Sequence, residues 1–198
     1  VSARAAAYAE PMTHRMFVAA NPTDDVAAAL ERFVEPRRQD GSTLRWVHWG
    51  QWHLTLAFFG TVPGRRVDDL GDLLDEVALN TDPVELTVGR AGAFPSPYAA
   101  HALWLGVGDR GDGSLEALAR RCRTAGSRVG ATVQGGGFVG HLTVARSGPP
   151  VEATRWLRVL DAFAPLTWRV GEIALVESRL GVGVGGSARH TEVRTFPL

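Results

Sequence analysis

The sequence predicts two similar lobes, each mixing strands with helices, related by a pseudo-two-fold axis. Three observations carry this. First, His53-Leu54-Thr55-Leu56 is echoed by His141-Leu142-Thr143-Val144. With six His, 14 Thr and 20 Leu in 198 residues, a His-Leu-Thr-apolar tetrad should arise by chance roughly 0.02 times. Second, the spacing repeats: 36 residues separate Phe17 from His53, and 37 separate Trp104 from His141. Third, both intervals read strand, helix, glycine-containing link, tetrad strand, and each tetrad is followed by another helix and another strand.

The elements follow in order. Val1 to Pro11 is Ala-rich and aperiodic, and is expected to be a disordered leader or cloning remnant, leaving residues 12–198 as a single bilobal domain. Arg15 to Ala20 reads as a strand ending at Asn21-Pro22. Thr23 or Asp24 caps a helix with Val26, Leu30, Phe33 and Val34 on one face, ending near Pro36. Gln39 to Ser42 is a turn, and Leu44 to Val47 a short strand. The first tetrad strand should run from His53 to Phe59 and stop at Gly60. Pro63-Gly64 opens a helix burying Val67, Leu70, Leu74 and Val77, closed by Asp82-Pro83. Strands at Val84 to Ala93 and Ala102 to Val107 precede a helix from Ser114 to Val129 that buries Leu115, Leu118 and Cys122. Gly135 to Gly137 feed the second tetrad strand. Pro149-Pro150 should start a helix carrying Trp156, Leu157 and Leu160. A long strand from Leu166 to Glu177, bent at Gly171, a glycine turn at Gly181 to Gly186 and a last strand from Arg189 complete the chain.

If each tetrad is a strand, alternation sends Leu54 and Leu56, and Leu142 and Val144, into the core. His53 with Thr55, and His141 with Thr143, then share the opposite face. Two imidazoles with two hydroxyls suit acid–base chemistry at phosphorus: one neutral ring takes a proton, one charged ring gives one, and hydroxyls donate to the non-bridging oxygens. The surroundings favour an anion over a metal. No Asp or Glu occurs from Gly41 to Val67 or from Ala117 to Val151, whereas Arg45, Arg65, Arg66, Arg120, Arg121, Arg123, Arg128 and Arg146 do. No metal and no cofactor are expected.

Other chemistries are excluded or disfavoured. All 21 basic residues are arginine, so there is no P-loop lysine, Schiff base or nucleotidylated lysine. No Gly-x-Ser-x-Gly elbow is present. Gly181 to Gly186 matches the dinucleotide fingerprint, but an alternating strand follows where a helix is required. A single cysteine, a formal charge of zero and no apolar run of roughly 18 residues fit a globular cytoplasmic protein with no membrane partner. His14, His48, His101 and His190 lack the paired context and are expected on the surface or in loops.

The motifs give the chain a family resemblance. His53 to Gly60, Phe138 to Arg146, Arg15 to Ala19, Trp46-Val47, Leu103 to Val107 and Glu177 to Leu180, in that combination, resemble the 2H phosphoesterase superfamily, and more narrowly its RNA 2′,3′-cyclic phosphodiesterases, also called 2′-5′ RNA ligases. The resemblance implies an α+β fold in which each lobe is an antiparallel sheet with helices outside and the active-site cleft lies between them. It implies metal-free hydrolysis of a terminal 2′,3′-cyclic phosphate on RNA ends or nucleotides to a 2′-phosphate, with reversible ATP-independent 2′-5′ ligation in some members, by a monomer. His53 would be the acid that protonates O3′ and His141 the base. Thr55 and Thr143 would bind the non-bridging oxygens, Arg146 would add charge, and Phe17 and Phe138 are candidates for the nucleoside pocket. Two departures stand out: Gly140 replaces the family's usual Pro before the second His, and His190 stands where a Tyr is common. A 2H relative acting on another cyclic phosphate or a 2′-5′ oligonucleotide, and a non-catalytic RNA-end-binding module, are the alternatives.

Overall fold

The computed structural model describes residues 12–38, 43–182 and 188–198. The leader, the turn at 39–42 and most of the glycine turn, residues 183–186, lie outside the described residues. The elements are β1 (Thr13–Ala20), α1 (Asp24–Val34), β2 (Arg45–Trp46), β3 (Leu54–Pro63), α2 (Val67–Leu79), β4 (Val84–Phe94), β5 (Ala100–Gly108), α3 (Ser114–Arg128), β6 (Val133–Gln134), β7 (His141–Val151), α4 (Thr154–Leu160), β8 (Leu166–Val170), β9 (Glu172–Arg179) and β10 (Arg189–Pro197). The strands join in the order β10-β9-β1-β3-β7-β5-β4-β8, with β2 added to β7 and β6 to β3. Every pairing is antiparallel. The fold is the expected α+β architecture of two pseudo-symmetric sheets.

The two halves of the chain are interlocked. After α2 the chain leaves for the second lobe, where β4 pairs with β5; after β8 it returns to the first, where β9 pairs with β1. The helices exchange likewise. α1 follows β1 but packs against β8 of the second lobe, whereas α3 follows β5 but packs against β3 of the first. Gly126 of α3 sits so close to the Phe59 ring that a Cβ would come within 2.2 Å of it. The apolar faces of α1, α2 and α3 supply Val26 and Leu30, Leu70 and Leu74, and Leu118 and Cys122 to one core running behind both sheets.

Three expectations are corrected. β3 continues past Gly60 to Pro63 because Thr132 bonds to Gly60 and Thr61, Thr132 O accepting from Gly60 N at 2.9 Å, and because Val62 and Pro63 pair with His14 and Thr13 of β1. Pro149 and Pro150 do not open a helix: they lie within β7, and α4 begins at Thr154. There β7 leaves the β5 ladder between the Ala102–Arg146 and Ala100–Val151 pairs, and a missing N–H in that unpaired stretch costs little. The strand bent at Gly171 is two strands in different lobes, β8 on β4 and β9 on β1.

The lobes meet through a single residue pair, Leu54 of β3 with Leu142 of β7. Both leucines are fully buried. Beyond this crossing the strands diverge, and β2 and β6 take up the edges they leave, β2 on β7 and β6 on β3. The divergence opens the cleft, and the tetrads flank its vertex.

A candidate active site between two sheets

Continuing the antiparallel register by one residue on either side of Leu54–Leu142 sets His53 opposite Thr143 and Thr55 opposite His141. All four are half-buried, while their neighbours Leu54, Leu56, Leu142 and Val144 are buried. The pseudo-two-fold axis thus passes between two matched pairs of side chains able to bind or move protons.

Each imidazole is held the same way. His53 Nδ1 lies 2.8 Å from Gln51 O, and His141 Nδ1 lies 2.7 Å from Val139 O. A carbonyl only accepts, so both Nδ1 atoms carry a proton and donate. In the neutral ring Nε2 is therefore the unprotonated nitrogen, free to take up and return a proton. The carbonyl two residues upstream serves in both lobes, a duplication carried down to one hydrogen bond.

Aromatic rings fix the planes of the imidazoles. Phe17 stacks on His53 with centroids 4.8 Å apart, and His190 stands edge-on to both, 5.3 Å from His53 and 5.0 Å from Phe17. In the second lobe Phe94 is edge-on to His141 at 5.0 Å, with Trp104 at 5.9 Å. Gly92 makes room for that indole, since a Cβ there would lie 2.1 Å from the Trp104 ring.

Arg146 reaches the cleft through a bulge. Strict alternation from His141 would turn it toward the core. The register of β7 on β5 slips between Leu103–Ala145 and Trp104–Thr143, so Val144 and Ala145 both point inward and are fully buried. Arg146 returns to the face of Thr143. β3 carries the matching slip between Val18–Ala57 and Ala19–Thr55, which turns Phe58 out at the equivalent position. There the Arg15 guanidinium lies 4.3 Å from the Phe58 ring centroid.

The electrostatics follow from burial among cations. Burial, with smaller contributions from His190, Arg146 and His141, pushes His53 down to about 4, against the opposing pull of the Gln51 carbonyl. His141 is lowered by burial and then by Arg146, with Val139 O opposing. His190 is lowered by burial, Arg146 and Arg15. With folded values below the unfolded one, these rings bind fewer protons than the unfolded chain in acid. The stability they lend is present above roughly pH 6.5 and is lost as pH falls toward 4. Melting temperature should therefore fall between pH 6.5 and 4, and inorganic phosphate should restore part of it by pairing with the charged rings. A melting temperature flat across that interval contradicts the buried-imidazole picture.

Of the expected site residues, His53, Thr55, His141, Thr143, Arg146 and Phe17 gather at the cleft. Phe138 is half-buried and packs against the main core. His190 is exposed, as expected, but lies on β10 against His53 rather than apart from the site. Phe94 gave no local signal in the sequence: only the β4–β5 pairing carries it to His141. His14 instead pairs with Glu177 at 2.7 Å, and His48 accepts from Gly50 N at 3.2 Å. Among the described residues no group of three His, Cys, Asp or Glu is placed to hold a metal ion, and no helix is long and apolar enough to cross a membrane.

Known proteins resemble this chain in sequence and in fold. The profile of the 2′-5′ RNA ligase superfamily matches residues 22–181. An RNA 2′,3′-cyclic phosphodiesterase of Geobacillus stearothermophilus is 28 % identical over 92 % of this chain and 56 % of that protein. One of Methanothermobacter thermautotrophicus is 23 % identical over 94 % of this chain and 100 % of that protein. The chain thus spans little more than half the length of the first relative and all of the second. Among solved structures, TT0787 of Thermus thermophilus superposes with a TM-score of 0.72 at 24 % identity, over 93 % of this chain and 97 % of that one. E. coli LigT complexed with 3′-AMP gives 0.69 at 24 % identity, over 94 % and 99 %.

Proposed function

The chain belongs to the 2′-5′ RNA ligase superfamily, and from that premise we propose that it is an RNA 2′,3′-cyclic phosphodiesterase that opens a terminal cyclic phosphate to a 2′-phosphate without a metal or cofactor. The observation that carries the reading is the matched pair of Nδ1–carbonyl hydrogen bonds, which leaves two Nε2 atoms for one phosphate. The curated relatives bear the same name.

In the proposed reaction the cyclic phosphate sits over the Leu54–Leu142 crossing. Its negative charge reverses the effect of burial and draws a proton onto His53. His141 Nε2 takes a proton from water as its oxygen attacks phosphorus, the P–O3′ bond breaks, and His53 delivers its proton to O3′. Thr55 and Thr143 donate to the non-bridging oxygens, and Arg146 neutralises the charge that accumulates there. Ligation is the same step with a 5′-hydroxyl in place of water: His141 takes the proton of the attacking hydroxyl, the P–O3′ bond breaks and His53 protonates O3′, and cleavage of the 2′-5′ bond runs this backward. Both halves of the site come from one chain, so a monomer suffices. The protein is assigned to the cytoplasm, with RNA ends as partners.

The test is product analysis on RNA ending in a 2′,3′-cyclic phosphate with EDTA present. Conversion to the 2′-phosphate at an undiminished rate is expected. Loss of activity in EDTA and its recovery with one divalent ion would sink the two-imidazole mechanism. A 3′-phosphate product would exchange the roles of the two rings, and inertness on RNA ends with turnover of another cyclic phosphate would change the substrate.

A further inference from the structure

Arg45 of β2 lies directly across the strand pair from Arg146 of β7. Like charges at facing positions of an antiparallel pair repel. Neither guanidinium has a carboxylate partner among the described residues, and both side chains are exposed. The two arginines nevertheless differ in reach. Arg146 acts on His53, His141 and His190, whereas Arg45 acts on Arg146 and is not among the charges felt by either tetrad imidazole. One guanidinium thus lies beside the imidazoles and the other a strand further out, about 4.8 Å in the pairing direction.

The two lobes differ at this point. In the first lobe the bulge residue equivalent to Arg146 is Phe58, and the residue facing it on β6 is Gln134. An aromatic ring and an amide hold those places on one wall of the cleft; two uncompensated cations hold them on the other. The duplicated fold does not require the arginine pair, so it answers to what enters on that side.

Resting on the reading above, we propose that Arg45 forms a second anion subsite, which binds the phosphodiester next to the reacting end of an RNA chain. The substrate class is then an oligonucleotide end rather than a free cyclic mononucleotide. The chain leaves the cleft over the β2–β7 edge. A fork of two guanidiniums grips successive phosphates by charge-assisted hydrogen bonds.

The experiment compares wild type with Arg45→Gln and Arg45→Lys on two substrates, adenosine 2′,3′-cyclic phosphate and a short oligoribonucleotide ending in a 2′,3′-cyclic phosphate. Binding of the 2′-phosphate-ended oligonucleotide is measured alongside as fluorescence anisotropy. Arg45→Gln should lose kcat/KM on the oligonucleotide by about tenfold more than on the mononucleotide, and the salt dependence of oligonucleotide binding should flatten by about 0.7 in slope, the loss of one single-strand phosphate contact. Arg45→Lys should restore the slope. Equal losses on both substrates would place Arg45 at the reacting phosphate, and no loss on either would leave it without a ligand; each overturns the subsite. Wild type that neither turns over nor binds either substrate overturns the phosphodiesterase reading itself. Unchanged melting temperatures separate all of these from misfolding.

Discussion

Replacing either tetrad histidine by alanine should lower turnover of a 2′,3′-cyclic RNA end by about 10²–10⁴-fold, the range for a positioned general acid or base. The double variant should fall far short of the product of the two losses, because the rings act on one phosphate as a unit. His53→Asn and His141→Asn discriminate further. Asparagine keeps a donor for the Gln51 or Val139 carbonyl but cannot pass a proton, so it should be as inactive as alanine while melting closer to wild type. Activity against pH should be bell-shaped, its limbs belonging to the pair as coupled groups. Thr55→Ala and Thr143→Ala should slow turnover and keep the bell. Full activity in either single histidine variant would end the two-imidazole mechanism.

The second large effect is expected at Gly140. A Cβ there would lie 2.2 Å from Val107 O, a backbone atom, and 3.1 Å from the Leu115 side chain. Gly140 O also accepts from Val107 N at 2.9 Å, so β5 approaches this residue as closely as a strand partner. Backbone cannot swing aside as a flexible side chain can. Gly140→Ala should cost about 1–3 kcal/mol, in the range of an overpacked core, and Gly140→Pro at least as much. The damage should extend to catalysis, since Val139 O, the acceptor that orients His141, is one residue away. Restoring the proline usual in the family would then harm this protein, because the close approach of β5 has made the glycine necessary. A Gly140→Pro variant that melts at the wild-type temperature with full turnover refutes this.

The shared facing of the four candidate site residues was legible in the sequence because it rests on the most local rule of a strand, alternation. His53, Thr55, His141 and Thr143 face one way because Leu54, Leu56, Leu142 and Val144 must face the other, and no partner strand is needed to know it. Helix faces such as Val26–Leu30 and Leu70–Leu74 were readable for the same reason, as was the duplication, a matter of spacing. Tertiary structure alone decided the rest. The exchange of α1 with α3 and of β4 with β9 depends on which sheet buries each apolar face, a long-range choice with no local signature. One-residue bulges turn Arg146 and Phe58 toward the cleft, and they exist only in register with β5 and β1. His190 and Phe94 become neighbours of the imidazoles only when β10 adds to β9 and β4 to β5. Alternation fixes which way a side chain points along its own strand; which side chains then meet is settled by pairing between segments far apart in the chain.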